Sequence, residues 1–533
     1  MDTKALRQKI LDLAIRGKLV PQDPNDEPAS VLLERIRAQK QQMVKEGKLK
    51  AKDIKNDTVI FVGEDNLHYE KFADGMFKCI EDEIPFEVPE GWAWCRLATI
   101  IELFITGPFG SALHKSDYIE NGTPIINPMN IVDGRIIASK SMMVSDETVD
   151  RLSSFMVEEK DIIIARRGEM GRCAVVTSTE AGWLCGTGSF DIRLSGFVNP
   201  DYIAHYIRSP FSIAILDGNA LGNTMPNLNQ SILKSLLVPI PPQAEQVRIN
   251  IGINRSDVLI SRIEEDQAEL IRIIAKLKDN ILNLAIRGQL IPQNPCDDPA
   301  SVLLDHIRAE KEKLIKQGKI KRDKRESVIF RGDDNSYYER VGTDVVDITE
   351  ELPFPIPETW CWARMSTLFE INPRNKLDDS LEVSFIPMPL IEDGYSGNHG
   401  SEKRKWSEVR TGFTHFAEGD IGIAKITPCF ENRKSVVFQN LTNGFGAGTT
   451  ELHVLRPYGK LILPEYALAL VKTKAFIEDG KQEFTGAVGQ QRIGKDFISE
   501  YLFPIPPYQE QERIVNAIEQ IFHIINEIEQ SIG

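Results

Sequence analysis

Most of the framework of this 533-residue chain is written twice. "LAIRGKLVPQDPNDEPASVLLERI" begins at Leu13, and "LAIRGQLIPQNPCDDPASVLLDHI" begins at Leu284. Residues 10–50 and 281–321 agree at 26 of 41 positions. Three further segments recur in the same order: "VIFVGEDNLHYE" (59–70) as "VIFRGDDNSYYE" (328–339), "PFEVPEGWAWCRL" (85–97) as "PFPIPETWCWARM" (353–365), and "PIPPQAEQVRI" (239–249) as "PIPPYQEQERI" (504–514). The offset drifts from 271 to 265, as one tandem duplication with small insertions and deletions would leave it. Between the repeated segments, residues 98–238 and 366–503 are similar in length but share little beyond "EEKDIIIARRGEMG" against "AEGDIGIAKITPCF". A duplication that keeps its frame and loses its filling implies a constant scaffold holding two variable modules.

From Glu245 to Gly288 there is no proline, and Ile263, Leu270, Leu277 and Leu284 recur every seven residues beside Ile260, Ile274 and Ile281. With Gln267 as its polar interruption, this a/d seam predicts a coiled coil about 65 Å long. The C-terminus carries the same seam in Ile514, Ile518, Ile521, Ile525, Ile528 and Ile532. By the repeat offsets, Gly533 corresponds to position 268 and Met1 to position 272. The central helix is therefore the uncut version of a helix that the other half divides between C- and N-terminus. Neighbouring termini, approximate two-fold symmetry and two antiparallel long helices joining two globular modules are expected.

Local rules explain the connector. Gly17 ends a helix, Pro21 and Pro24 keep the linker extended, Pro28 starts a new helix in its first turn behind Asp26 and Glu27, and Gly47 closes it. Leu32, Leu33, Ile36, Met43 and Val44 form an apolar stripe for the long helices or a partner subunit. "VIFVGEDNLHYE" reads as a hairpin turning at Gly63–Asn66. Trp92, Trp94, Trp360 and Trp362 sit in repeated frame segments and read as core. The modules mix short strands ("TPIINP", "DIIIAR", "SVVFQN", "ELHVLRP") with a helix at "NPDYIAHYIRSPFSIAIL" or "PEYALALVKTKAFIE", which predicts α+β domains.

A formal charge of -15 argues against a surface that binds nucleic acid everywhere. Residues 85–242 hold 12 Lys and Arg against 17 Asp and Glu, and residues 353–507 hold 17 against 19, so any DNA contact is expected to be local or shared with a partner. The apolar runs are too short to span a bilayer, and "MDTKALRQKI" lacks the apolar core of a signal peptide. Seven cysteines without a CxxC pair suit a reducing cytoplasm, and neither zinc nor a disulfide framework.

Several stretches imitate catalytic motifs without their chemistry. "GQQRIGKD" (489–496) has phosphate-loop spacing, but Asp496 stands where a magnesium-holding hydroxyl belongs. "GFGAG" (444–448) precedes a strand, not a helix, and reads as a hairpin turn. "IPPY" (505–508) lacks the Asn or Asp that precedes PPY in amino-methyltransferases, and the eight histidines show no ligand spacing. The chain is expected to be non-catalytic, with no cofactor of its own. What remains is binding. Polar, glycine-punctuated loops at 106–118, 165–172 and 221–231, and at 372–376, 401–410, 425–434 and 485–495, offer Arg and Lys to phosphates and guanine edges, and Asn and Gln to adenine edges.

The combined pattern resembles the DNA specificity (S) subunits of type I restriction-modification systems. It is carried by the cyclic half-repeat, the "LAIRGKLVPQ…PASVLLERI" connector, "GPFGS" at 107–111, "DIIIARRGEMGR" at 161–172, "GNTMPNLN" at 222–229, and the "PIPP" exit into a long helix in both halves. The resemblance implies an α+β fold with two pseudo-two-fold-related globular target recognition domains joined by two long antiparallel coiled-coil helices. Its divisions would be an N-terminal frame at 1–84, recognition domains at 85–242 and 353–507, a central region at 243–352, and a C-terminal helix at 508–533. Each domain would read one half of a split double-stranded DNA target, with the helices as a ruler of roughly two duplex turns. The implied partners are two modification subunits, which methylate a flipped base from S-adenosylmethionine, and restriction subunits that add ATP-driven translocation and cleavage. No membrane is involved. The expected DNA-binding residues are Ser111, Lys115, Tyr118, Arg166, Arg167, Arg172, Asn223, Thr224 and Asn227 in the first module. In the second they are Arg374, Lys376, Lys425, Arg433, Lys434, Gln490, Gln491 and Arg492. The second module has "INPRNK" in place of "GPFGS". The alternative is a coiled-coil adaptor, or the specificity subunit of a methylation-only defence system without a nuclease.

Overall fold

The computed structural model describes residues 2–55, 57–109, 112–219, 227–322, 326–487 and 489–532. It divides into two units, Met1–Asp266 and Gln267–Gly533, built on one plan.

In the first unit Asp2 caps the helix Thr3–Ile15, its carboxylate accepting the Ala5 N–H at 2.9 Å. The helix stops at Gly17, with φ +64°, where a Cβ would stand 2.3 Å from Pro89 Cγ, so backbone and packing both demand glycine. Pro28 occupies the N-cap of the next helix, Ala29–Lys45, rather than its first turn. That helix buries Ala29, Leu32, Leu33 and Ile36 in a core shared with Trp92, Leu97, and Ile249 and Ile253 of the long helix, while Met43 and Val44 stay half-exposed.

The hairpin forms from Val59–Val62 and His68–Lys71, paired Val62 to His68, with Asn66 at φ +63° in the turn. A third strand, Phe77–Cys79, which the hairpin reading did not foresee, pairs with the second. Strand Ala93–Arg96 runs antiparallel to Leu237–Ile240 and so closes the frame around the module. Trp92 and Trp94 are buried, and Trp92 Nε1 donates to Glu245 Oε2 at 3.0 Å.

The module holds two four-stranded sheets. The central sheet is antiparallel in the order Cys173–Val175, Ile162–Ala165, Ser189–Leu194, Ile101–Thr106. The second is mixed, in the order Leu184–Cys185, Thr123–Ile126, Met143–Val144, Tyr118–Ile119. The stretch read as one helix is two, Pro200–Ile207 and Pro210–Asn219, because Pro210 cannot continue the first.

The second unit repeats this. Gly288 has φ +68° with Pro357 Cγ 2.5 Å from its would-be Cβ, and Ala300–Lys316 buries Ala300, Leu303, Leu304 and Ile307. Strand Cys361–Arg364 pairs with Leu502–Ile505, and Trp360 and Trp362 are buried. The central sheet runs Phe369–Ile371, Leu452–Pro457, Ile421–Ala424, Ser435–Val437. "GFGAG" is not a turn: Phe445–Gly448 is a strand between Glu382–Ile386 and Thr414–Ala417. Its Gly446 lets the Phe416 ring approach to 2.1 Å from where a Cβ would sit, which is why small residues occur there.

Gln243–Ile286 is one continuous 44-residue helix. In the first unit Thr3–Ile15 runs antiparallel to it, with Arg7 at Ser261 and Glu264 (3.2 and 3.1 Å) and Leu19 and Val20 at Gly252. In the second unit Tyr508–Ile532 does the same, through Lys278 to Glu529 (2.8 Å) and Gln293 to Glu510 (2.7 Å). One expected row of the seam is buried (Ile260, Ile274, Ile281), but Leu270, Leu277 and Leu284 are about two-fifths exposed. The second unit lays one helix beside this stretch, and one neighbour covers one stripe. No helix among the described residues is long and apolar enough to cross a membrane.

Candidate functional site

In both units the hairpin that follows the buried central strand is crossed by a chain segment from more than 50 residues downstream. In the first unit the Arg166 N–H donates to Gly188 O (2.8 Å), and Arg166 O accepts from Leu228 N (2.9 Å). An isolated bridge joins Arg167 to Asn227. Asn229 then caps a short helix through Ile232 N (2.9 Å), and Gln230 Nε2 ties the crossing to Thr106 Oγ1 at the end of the edge strand (2.9 Å). Thr187 Oγ1 donates to Pro108 O at 3.0 Å, so residues 106–109, 166–167, 187–188 and 227–230 converge at one end of the central sheet.

The second unit reproduces this arrangement. Lys425 N donates to Glu451 O (3.0 Å), Ile493 N donates to Lys425 O (3.0 Å), and a bridge joins Ile426 to Arg492. Arg166 therefore corresponds to Lys425, and Asn227 to Arg492. Arg172 corresponds to Lys434, since Ala165 N donates to Arg172 O and Ala424 N to Lys434 O, both at 2.9 Å. Two modules with little common sequence thus set cations at matching places on matching backbones.

The candidates fare differently. The Arg166 guanidinium lies over the Phe109 and Phe190 rings at 5.0 and 4.9 Å, and is buried. Burial, then the neighbouring Arg167 charge, pulls its pKa below the ordinary guanidinium value. Arg167 is exposed and free of ion pairs among the described residues. Arg172 donates to Pro128 O and pairs with Glu169, both at 3.3 Å. Lys115 and Tyr118 lie at the edge of the second sheet: Lys115 is exposed, while the Tyr118 ring packs against the cluster of Ile125, Val144, Leu152 and Leu184. Ser111, Asn223 and Thr224 lie outside the described residues.

In the second unit Arg433 donates to Lys472 O (2.9 Å), lies over Tyr395 (4.8 Å) and reaches Asp279 (3.5 Å). Lys434 Nζ donates to Ile391 O at 2.7 Å. Both cations are thus engaged within the fold. Arg492 places Nε and Nη2 on Glu451 at 2.8 and 3.0 Å, and Nη1 on Gln490 O at 2.8 Å. Gln491 O accepts from Thr427 N (3.0 Å), Arg374 Nη1 donates to Phe413 O (3.0 Å), and Gln490 and Lys376 are exposed. Sequence reasoning missed Phe109, Gln230 and Glu451. Phe109 lies in the "GPFGS" run and Gln230 in the polar loop at 221–231, whereas nothing in the sequence marks Glu451.

Comparison with known proteins adds to this geometry. The model of the type I restriction modification DNA specificity domain matches twice, at residues 89–272 and 357–532. The chain is 45% identical over 258 residues to the type I restriction enzyme EcoAI specificity subunit of Escherichia coli, over 48% of this chain and 41% of that one. It is 44% identical over 259 residues to the EcoEI specificity subunit of the same organism, over 48% of this chain and 40% of that one. The match thus takes in less than half the length of either relative. Among solved structures, the HsdS subunit from Thermoanaerobacter tengcongensis aligns with a TM-score of 0.42 at 16% identity, over 85% of this chain and 94% of that one.

Proposed function

The chain belongs to the type I restriction-modification DNA specificity family, and from that premise we propose that it reads a bipartite, asymmetric sequence in double-stranded DNA, one half-site through each module. The observation that supports this is the repeated crossing at the end of the central sheet, with Arg166 and Arg167 in one unit and Lys425 and Arg492 in the other. Phosphate contacts position a protein on DNA and base-edge contacts specify the sequence. Arg167, Lys115, Arg374, Lys376, Lys425 and Gln490 keep side-chain donors available for those contacts. Arg166, Arg172, Arg433 and Lys434 hold the loops that carry them. Residues 85–242 and 353–507 act as the two recognition domains, and the 44-residue helix, at about 1.5 Å per residue, keeps the half-sites apart.

The chain performs no chemistry itself. Its partners are two modification subunits, which supply methyl transfer, and restriction subunits, which supply ATP-driven translocation and cleavage, in the cytoplasm. A net charge of -15 fits an assembly in which those subunits provide much of the phosphate clamp. The test is methylome sequencing of cells with and without the chain. Loss of one bipartite methylated motif is the expected result, and an unchanged methylome overturns the reading. Replacing residues 98–238 by those of a relative should alter one half-site and leave the other.

A further inference from the structure

The second unit carries a pocket of about 310 Å³ lined by Asn372, Arg374, Thr414, His415, Lys425 and Thr450, closed by Pro373, Gly412, Phe413 and Leu452. No carboxylate lines it. Glu451, next to Thr450 in the chain, lies within electrostatic reach of Lys425, but both its oxygens are held by Arg492. Lys425 is fixed by its own backbone bonds to Glu451 and Ile493, yet its ammonium makes no hydrogen bond or ion pair among the described residues. Arg374 uses one of its five N–H donors on Phe413 O and has the others to give. His415 contributes no charge: burial, then the Arg374 guanidinium, holds its pKa below the ordinary imidazole value. Its Nδ1 accepts from Asn375 N (3.3 Å) and its Nε2 faces Arg410 O (3.1 Å), which fixes the ring as a neutral wall.

The two units differ in how the cation at this place is covered. In the first, the cation equivalent to Lys425 is Arg166, already covered by Phe109 and Phe190. In the second, His453 takes the place of Phe190, and its ring is turned to Ile493 O (3.1 Å) and Asn372 (3.4 Å). Lys425 is thereby left without an aromatic cover. Two cations with no ion pair of their own among the described residues, with hydroxyl and amide donors around a small cavity, suit a tetrahedral oxyanion. The volume is at the low end of ligand pockets, about 300–1,000 Å³, and suits a phosphate with part of its sugar rather than a whole cofactor.

Resting on the DNA-reading function above, we propose that this pocket holds a backbone phosphate of the half-site read by the second module, gripped by Lys425 and Arg374. The test has two arms, on the full chain. In the first, inorganic phosphate is titrated by calorimetry against wild type, Lys425→Gln, Arg374→Gln and Lys425→Arg. Weak binding is expected in wild type and Lys425→Arg, with a loss of about tenfold in either Gln variant. In the second, the salt dependence of binding to random-sequence duplex DNA is measured with the modification subunits present, and the slope should fall by about 0.9 in Lys425→Gln. Unfolding midpoints like wild type establish that the variants fold.

The outcomes separate the possibilities. Phosphate binding and salt slope both unchanged in the Gln variants overturn the pocket while leaving DNA recognition intact. Phosphate binding lost with the slope unchanged means that a free oxyanion is the ligand, which overturns the backbone assignment. If the chain with its modification subunits binds no DNA while phosphate binds and is lost in the Gln variants, the DNA reading fails and the site is one for a small anion.

Discussion

Glu451 accepts the bidentate Nε–Nη2 edge of Arg492, Nε at 2.8 Å and Nη2 at 3.0 Å. The equivalent positions in the first unit are Gly188 and Asn227, so among the described residues this ion pair has no counterpart at the first crossing. Arg492 holds the Glu451 carboxyl below the usual carboxylate range. Glu451→Gln leaves that guanidinium with a neutral partner. Binding to random-sequence duplex should then tighten at low salt, with a slope steeper by about one phosphate contact, about 0.9. Thermal unfolding should barely change, because solvent-facing ion pairs contribute little to stability. A slope equal to that of wild type would show that Arg492 does not face DNA.

Asp191 is 1% exposed, and neither carboxylate oxygen has a hydrogen-bond partner among the described residues. Arg193, two residues along the same strand, gives its Nε–Nη2 edge to Asp161 (2.8 and 2.9 Å). Burial, reinforced by the Asp161 charge, pushes Asp191 from the ordinary 3.8 up to about 8. A pKa raised on folding means that the folded unit keeps a proton which the unfolded chain releases above about pH 4. Stability attributable to this site is therefore full in acid and falls as pH rises towards 8. The second unit has Val454 at this register position, fully buried. Asp191→Val should raise first-unit stability at pH 7–8 by about 1–3 kcal/mol. It should also remove the decline between pH 5 and 8. Urea unfolding across that range is the measurement, and a variant less stable than wild type at pH 8 refutes the account.

What could be read from the sequence and what could not divide along one physical line. Gly17, the hairpin at Asn66 and the buried tryptophans obey rules confined to a few neighbouring residues, and the second copy of each repeats the signal. The crossing of Arg167 by Asn227, or of Ile426 by Arg492, joins residues some 60 positions apart and leaves no local mark. Composition gives an arginine its charge but not its surroundings. Arg433 and Lys434 look like DNA-facing loop cations in "FENRK", yet they serve the carbonyls of Lys472 and Ile391. The heptads gave the long helix correctly but not which of its two apolar rows would be covered.

The repeated glycines allow a paired test. Gly17 and Gly288 both have φ between +60° and +70°, and in both a Cβ would collide with a proline ring, at 2.3 and 2.5 Å. Alanine at either place meets the left-handed penalty, about 1 kcal/mol, together with displacement of Pro89 or Pro357. Gly17→Ala and Gly288→Ala should each destabilise their own unit, by similar amounts of about 2 kcal/mol or more. Limited proteolysis should open residues 1–45 in the first variant and 281–316 in the second. Wild-type protection in both would show that the connector tolerates the side chain and that the repeated turn is not needed for packing.

Lys40 is 2% exposed, gives its ammonium to the carbonyls of Ala98 and Thr99 (3.1 and 3.3 Å), and pairs with Asp57 at 2.5 Å. Burial pushes the Asp57 carboxyl up in spite of that cation, so desolvation outweighs attraction at the aspartate. The repeat carries Lys311 in the same place, but its partner Glu326, at 3.3 Å, is 29% exposed and keeps part of its hydration. Lys40→Met strands a buried carboxylate and should cost about 3–5 kcal/mol. Lys311→Met leaves a carboxylate that water can reach, and should cost about 1–3 kcal/mol. Adding Asp57→Leu to Lys40→Met should recover most of the loss, because the double variant has no uncompensated charge to bury. Urea unfolding of the three variants beside wild type checks the ranking. Equal costs for the two lysine variants, or no recovery in the double variant, would mean that the ammonium's bonds to backbone carbonyls, and not its pairing with Asp57, are what hold the helix Ala29–Lys45 to the frame.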